Sequence, residues 1–235
     1  MTPVSTVADV LARLTAIDAA LPPTDGVKWF NKLYLEVTQR VATAPGGKWA
    51  APGFLEALDV LFAGRYFDAF DAAGNGAAPP ATYPFHGWKP LFEDRFETGI
   101  APVQFALAGM NAHINHDLAI AVCDTCAARG TKPDDDGPEH RDYDAVNGLI
   151  AKVEEQMKTW MMTGLLKELD LDFGPVDDLV AVWNVERARD AAWVGAKVIW
   201  SLRSLPPLRE DYEEMDDHAV GFASRALLTP VGLAG

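Results

Sequence analysis

Five polar side chains crowd between Asn111 and Asp117, in the stretch Met110-Asn111-Ala112-His113-Ile114-Asn115-His116-Asp117-Leu118. Two are imidazoles and one is a carboxylate, groups that move protons near neutral pH or hold a divalent metal. On a helix, His113 and Asp117 are i,i+4 neighbours and His113 and His116 are i,i+3. Asn111 and Asn115 form a second i,i+4 pair on a different face. Three readings are open at this point. The cluster is a hydrogen-bonded knot between helices. Or His113, His116 and Asp117 ligate Zn²⁺ or another divalent ion, completed by a remote carboxylate. Or it does metal-free acid–base chemistry, with Asp117 orienting an imidazole.

The element that must position these groups is apolar or small on every side. From Pro102 to Ala128 it carries Phe105, Leu107, Ile114, Leu118, Ile120 and Val122 around its circumference, and Gly130 stops it. A helix apolar all round is a buried helix. Polar groups at its centre need partners, since an unpaired one costs about 1–3 kcal/mol. Gly109, one turn before His113, leaves room for a close neighbour, whether backbone or ligand.

Helical periodicity runs along the rest of the chain. It predicts helices over Thr6–Leu21, Lys28–Thr43 and Phe54–Ala72, a turn over Leu91–Phe96, long helices over Arg141–Leu166 and Val176–Leu205, and a short last one over Phe222–Leu228. Pro22-Pro23 and Pro206-Pro207 read as stops. No alternating strand pattern is visible. The expected fold is all-α: one domain over residues 1–235, an irregular multi-helix bundle around a buried central helix.

Other residues could join the site. Asp144 and Asn147 are i,i+3, with Glu154 and Glu155 on later turns, and this row could face the cluster. Helix-start chemistry is the plainer reading of Asp144. Arg189 lies in an apolar and aromatic stripe, which calls for a structural acidic partner or an anionic ligand group. His86 and Trp88 sit in a Gly/Pro-rich loop from Gly74 to Pro90, where Trp88 is either a plug over the core or part of a site. Cys123 and Cys126 read as core thiols.

Composition narrows the partners. The formal net charge is −14 in 235 residues, which repels a phosphate backbone and an anionic membrane surface. The acidic stretches Asp134–Asp136 and Glu210–Asp217 read as solvated faces. No run is apolar enough to span a bilayer, and the N-terminal stretch is not a secretory signal. Two cysteines make no disulfide framework, so a cytoplasmic location is expected. The expected partner is a small-molecule ligand, with no nucleic acid and no membrane; nothing in the sequence specifies an oligomeric state.

The segments Met110–Leu118 and Arg141-Asp142-Tyr143-Asp144-Ala145-Val146-Asn147 resemble an actinobacterial family known as a domain of unknown function. The resemblance extends to Leu33-Tyr34…Thr38 and Arg189-Asp190-Ala191-Ala192-Trp193, and implies an all-helical domain with no assigned activity. The spacing of His113 and Asp117 is also similar to the His-x-x-x-Asp of the helical zinc-dependent phospholipase C and nuclease family. That resemblance implies zinc. The family uses several such helices, whereas this chain has five histidines in all, so one or two metals at most are implied.

Two functions are therefore carried forward. One is a small-molecule enzyme, a metal-dependent hydrolase, with His116 and Asp117 catalytic, His113, His116 and Asp117 as zinc ligands, and Asn111, Asn115, Asp144 and Arg189 on the substrate. The alternative is a non-catalytic helical module for ligand binding or interaction, in which the same cluster is structural. A pocket reaching His116 would favour a site over a scaffold.

Overall fold

Thr6 starts the first helix: its hydroxyl accepts from the Asp9 N–H at 3.1 Å, while the Asp9 carboxylate accepts from the Thr6 N–H at 3.0 Å. The computed structural model describes residues 4–43, 49–74, 78–148, 150 and 184–230. Among these the regular structure is entirely helical, with no strand. The helices are α1 (Val7–Ala20), α2 (Val27–Thr43), α3 (Phe54–Ala73), α4 (Lys89–Glu93), α5 (Pro102–Ala112), α6 (Leu118–Ala128), α7 (Pro138–Ala145), α8 (Val185–Leu202) and α9 (Pro206–Leu227). A π-helical turn, His113–Asp117, joins α5 to α6. Together they form a multi-helix bundle around the α5–α6 rod, as the apolar circumference of that rod requires.

Two apolar clusters share the rod. The first gathers α1, α2, the second half of α3, the Tyr83–Phe92 segment and α5, with Phe30, Tyr66, Trp88 and Phe92 at its centre. The second gathers Phe54 and Leu58 of α3, Leu118 to Cys123 and Cys126 of α6, Tyr143 of α7, and Trp193, Ala196 and Ile199 of α8. The π-turn falls where one cluster gives way to the other. Cys123 and Cys126 are buried, and burial pushes both thiols up to about 11, so they are inert core groups.

Two expectations are corrected. The short last helix over Phe222–Leu228 is in fact the end of a 22-residue helix. Pro206 and Pro207 begin α9 rather than merely ending α8, because a proline at the first helical positions gives up an N–H that is unpaired there anyway. The acidic Glu210–Asp217 stretch is consequently helical, and only part of it faces solvent. α8 begins at Val185, behind an Asn184 cap that accepts from the Arg187 N–H at 2.8 Å. The expected helical residues 151–166 and 176–183, including Glu154 and Glu155, lie outside the described residues. Among the described residues no helix is long and apolar enough to cross a membrane.

Candidate functional site

The π-turn decides which way each polar side chain faces. The Leu118 N–H donates to the His113 carbonyl, a five-residue step instead of the four-residue step of an α-helix. Such single π-turns within α-helices are frequent at functional sites. His113 and Asp117 are directed to α2 and α3, into the first core. His116 and Asn115 are directed to α8 and α9.

His113 and Asp117 form a dry knot. Each is 2 % exposed. Asp117 Oδ2 accepts from Trp88 Nε1 at 2.9 Å and from His113 Nδ1 at 3.2 Å, and Arg65 Nε lies 3.4 Å from Oδ1. Burial pulls the His113 pKa below its ordinary value despite the adjacent carboxylate, so the ring is neutral and its Nδ1–H donates to Asp117. Burial works to raise Asp117, but the His113 hydrogen bond and the Arg65 charge outweigh it and hold the carboxyl below its usual range. The imidazole stacks face to face on Phe62, with ring centroids 3.5 Å apart and 5° between planes. The Tyr34 ring packs against it at 4.6 Å. Its Nε2 has no hydrogen-bond partner among the described residues. Trp88 answers both readings of it: it plugs the core, 1 % exposed, and supplies a donor to the knot.

His116 has a different environment. A pocket of about 250 Å³ lies between the π-turn, α6, α8 and α9, and His116 forms part of its lining. Its polar lining is Asn115, His116, Tyr212, Glu213 and Asp216; the walls are Ala119, Ile120, Ala191, Ile199 and Val220, with Gly195 on α8. His116 Nδ1 is 2.8 Å from Asp216 Oδ2, and its Nε2 is 3.8 Å from Asp217 Oδ1. Burial disfavours the imidazolium, yet the Asp216 hydrogen bond and the charges of Asp117, Asp217 and Asp216 prevail and raise its pKa above the ordinary value. Asp217 is itself fixed, accepting the backbone N–H groups of His86 and Gly87 at 2.7 Å each. Glu213 is shared with Arg209, which also reaches Asp124.

The asparagine pair links the pocket to α9. Asn111 Nδ2 donates to the Val220 carbonyl and to Ser224 Oγ, both at 3.0 Å, and Asn115 Nδ2 donates to Asn111 Oδ1 at 2.8 Å. Asn115 borders the pocket, whereas Asn111 stands behind it as support.

Several expected site residues do not meet. His113 turns to Asp117 and His116 turns to Asp216, so the three expected zinc ligands have no common focus. Among the described residues no group of three or more His, Cys, Asp and Glu side chains could hold a metal ion. Neither Asp144 nor Arg189 lies in the pocket lining, nor do His113 and Asp117 touch them as one shared site would require. Asp144 is 47 % exposed at its side chain and faces His140 Nε2 at 3.5 Å. Arg189 is held by α7 and the residues after it: Nη2 donates to the Tyr143 carbonyl at 2.8 Å, Nε to Asn147 Oδ1 at 2.6 Å, and the guanidinium lies 4.0 Å over the Tyr143 ring. Among the described residues its buried partners are thus a carbonyl, an amide and a ring. Gly109 makes room for Phe30, whose Cγ would lie 2.4 Å from an added Cβ, and not for a ligand.

Sequence reasoning missed Asp216, Asp217 and Tyr212. The available signal was the spacing of Tyr212, Asp216 and Val220, which repeats every four residues behind a Pro-Pro helix start and marks a single inward row on α9.

Neither the curated proteins nor the solved structures give a match to this chain. A family model does: residues 7–230 match the model described as "Family of unknown function (DUF5995)", and the chain belongs to that family.

Proposed function

We propose that this protein binds a small molecule in the pocket between α6, α8 and α9, and that His116 and Asp216 act there as a metal-free acid–base pair. The observation that carries this reading is the 2.8 Å contact between His116 Nδ1 and Asp216 Oδ2 at the pocket lining. A carboxylate on Nδ1 holds the ring in one orientation and one tautomer, which leaves Nε2 for proton exchange with a ligand. The role first assigned to Asp117 passes to Asp216, while Asp117 contributes charge from behind. The pocket is smaller than the roughly 300–1,000 Å³ of drug-sized sites, which suits a small ligand. The donor set does not support the zinc hydrolase expectation, since the three candidate ligands diverge.

The test is a fragment screen on wild type, His116→Gln and Asp216→Asn, read by NMR at the Tyr212 ring in all three and at the His116 imidazole in the two that retain it. Fragments should perturb both residues in wild type, and the responses should disappear in the variants while each remains folded by circular dichroism. A library that leaves both residues unmoved in wild type would overturn the reading, as would responses that persist unchanged in both variants.

A further inference from the structure

The pocket has an acceptor pattern that its own hydrogen bonds fix. The Val220 carbonyl can only accept, so Asn111 must present Nδ2 to it and Oδ1 to Asn115. Asn115 must then present Nδ2 to Asn111, which leaves Asn115 Oδ1 as an acceptor to which no described group donates. Asp216 adds a carboxylate, 32 % exposed at its side chain, and Glu213 a second one that Arg209 only partly occupies. Tyr212 adds a hydroxyl. No lysine or arginine belongs to the lining, and the remaining walls are aliphatic or glycine.

Resting on the pocket reading above, we infer that the ligand is a small organic cation: an ammonium or amidinium head on a short aliphatic body. The head meets Asp216 and Asn115 Oδ1, and the body lies against Ile120, Ile199 and Val220. A carboxylate head would be repelled by the Asp216 and Glu213 carboxylates, with only the Tyr212 hydroxyl and His116 to donate to it, and a neutral head would leave the negative charge of the lining unused.

Asp216 is also the carboxylate on His116 Nδ1 and favours the protonated ring, so ligand and proton compete. The charged and titratable groups that face His116 are Asp117 on its own turn and Tyr212, Glu213, Asp216 and Asp217 on α9. Arg65 of α3 reaches only Asp117. α5 carries no titratable residue, and α6 and α8 present Ala119, Ile120, Ala191, Gly195 and Ile199 to the pocket. With His116 neutral, its Nε2 becomes one more acceptor for the ligand. Binding therefore releases about one proton, and the affinity rises about tenfold per pH unit until His116 is neutral, then levels off.

The experiment titrates the full-length chain with cyclohexylamine, cyclohexanol and cyclohexanecarboxylate, three probes with one body and different heads. Chemical shifts are read at His116 and Tyr212, at several pH values on either side of the His116 midpoint measured in the same samples. The amine should bind at least about tenfold more tightly than the alcohol, with the carboxylate weakest. Its affinity should climb with pH and then level. Asp216→Asn should lose the preference for the amine, and Asn115→Leu should weaken the amine severalfold, giving an independent reading if the first variant fails to fold. Equal or tighter binding of alcohol or carboxylate would overturn the ligand class while leaving the pocket reading intact. A pH-independent amine affinity would overturn the exchange with the proton. Silence from these probes and from the whole fragment library would remove the pocket reading itself.

Discussion

Three carboxylates raise the pKa of His116 above its ordinary value against the effect of burial, while His113, three positions earlier, is sealed among rings and its pKa is lowered by burial. Their effects on stability are therefore opposite in sign. The folded pKa of His116 lies above its unfolded value of about 6.5, so its contribution is complete below that value and is lost as pH rises through the folded pKa. His113 has a depressed folded pKa, so its neutral burial is favourable above about 6.5 and becomes a liability as pH falls below that. In His116→Gln the alkaline loss should vanish: the stability advantage of wild type over the variant, read by urea unfolding, should narrow between pH 6 and pH 9. An advantage that stays constant would mean that the proton on His116 does not contribute. Asp59 supplies a second residue-level test. Burial pushes its carboxyl up to about 7, and its Oδ2 has no hydrogen-bond partner among the described residues. The neutral form is the one the fold accepts, so stability is full below the unfolded value near 4 and declines as pH rises to about 7. Asp59→Asn should match wild type near pH 4 and exceed it at pH 8 by a few kcal/mol, since each pKa unit is worth about 1.4 kcal/mol. An equal difference at both pH values would argue that Asp59 is solvated.

At the scale of elements, what the sequence made legible depended on whether the rule in play was local. The Pro22-Pro23 stop, the Pro102 start and the Gly130 stop are chemical signals within a few residues, and α1, α2, α3 and the α5–α6 rod lie within a residue or two of their expected bounds. The two i,i+4 pairs of the rod, His113–Asp117 and Asn111–Asn115, were likewise legible and both are in contact. The π-turn was not. A wheel drawn at a constant 100° per residue keeps His113 and His116 on one face, and the wider turn, stabilised by packing on both sides, is what separates them. The partners of each histidine were also hidden, because Asp216 and Trp88 come from distant elements that no spacing rule connects to the rod. Two glycines test these element contacts. Gly109→Ala gains roughly 1 kcal/mol of helix propensity but drives Cβ into the Phe30 ring, where Cγ would be 2.4 Å away. We expect a net loss of about 1–3 kcal/mol, largely recovered by Phe30→Leu. Gly221→Ala meets the His86 carbonyl oxygen at 2.4 Å, a backbone atom that no side-chain change can move aside. It should cost at least as much and shift the His86–Gly87 segment away from Asp217. Thermal melts of the three variants would decide, and full tolerance of Gly221→Ala would show that α9 and that segment are not in close contact.

Across the whole molecule, the two apolar clusters are separate lists of side chains but not separable bodies. α3 gives Phe54 and Leu58 to one and Tyr66 and Phe67 to the other. The rod does the same, with Phe105, Ala108 and Ala112 before the π-turn and Leu118 to Cys123 with Cys126 after it. Releasing either cluster would strip apolar partners from half of each shared helix, at roughly 25 cal/mol for every Å² of apolar surface exposed. A chain of 235 residues exceeds the size at which single-step unfolding is usual. The shared helices nevertheless lead us to expect one cooperative transition and one folding unit. Of the seven tryptophans, Trp88 in the first cluster and Trp193 in the second are nearly inaccessible to water, and each reports on its cluster by the difference between wild-type fluorescence and that of the variant lacking it. Urea unfolding followed by fluorescence in Trp88→Phe and Trp193→Phe should give, for each variant, a midpoint that coincides with its own far-UV circular dichroism curve. The two variants will differ in absolute stability, since each loses a buried indole, and Trp88→Phe also removes the donor to Asp117. What matters is the agreement of the probes within each variant. Should the fluorescence of one cluster change well before the helical signal does, the rod does not couple the two halves, and the pocket beside His116 would then belong to a unit able to open by itself.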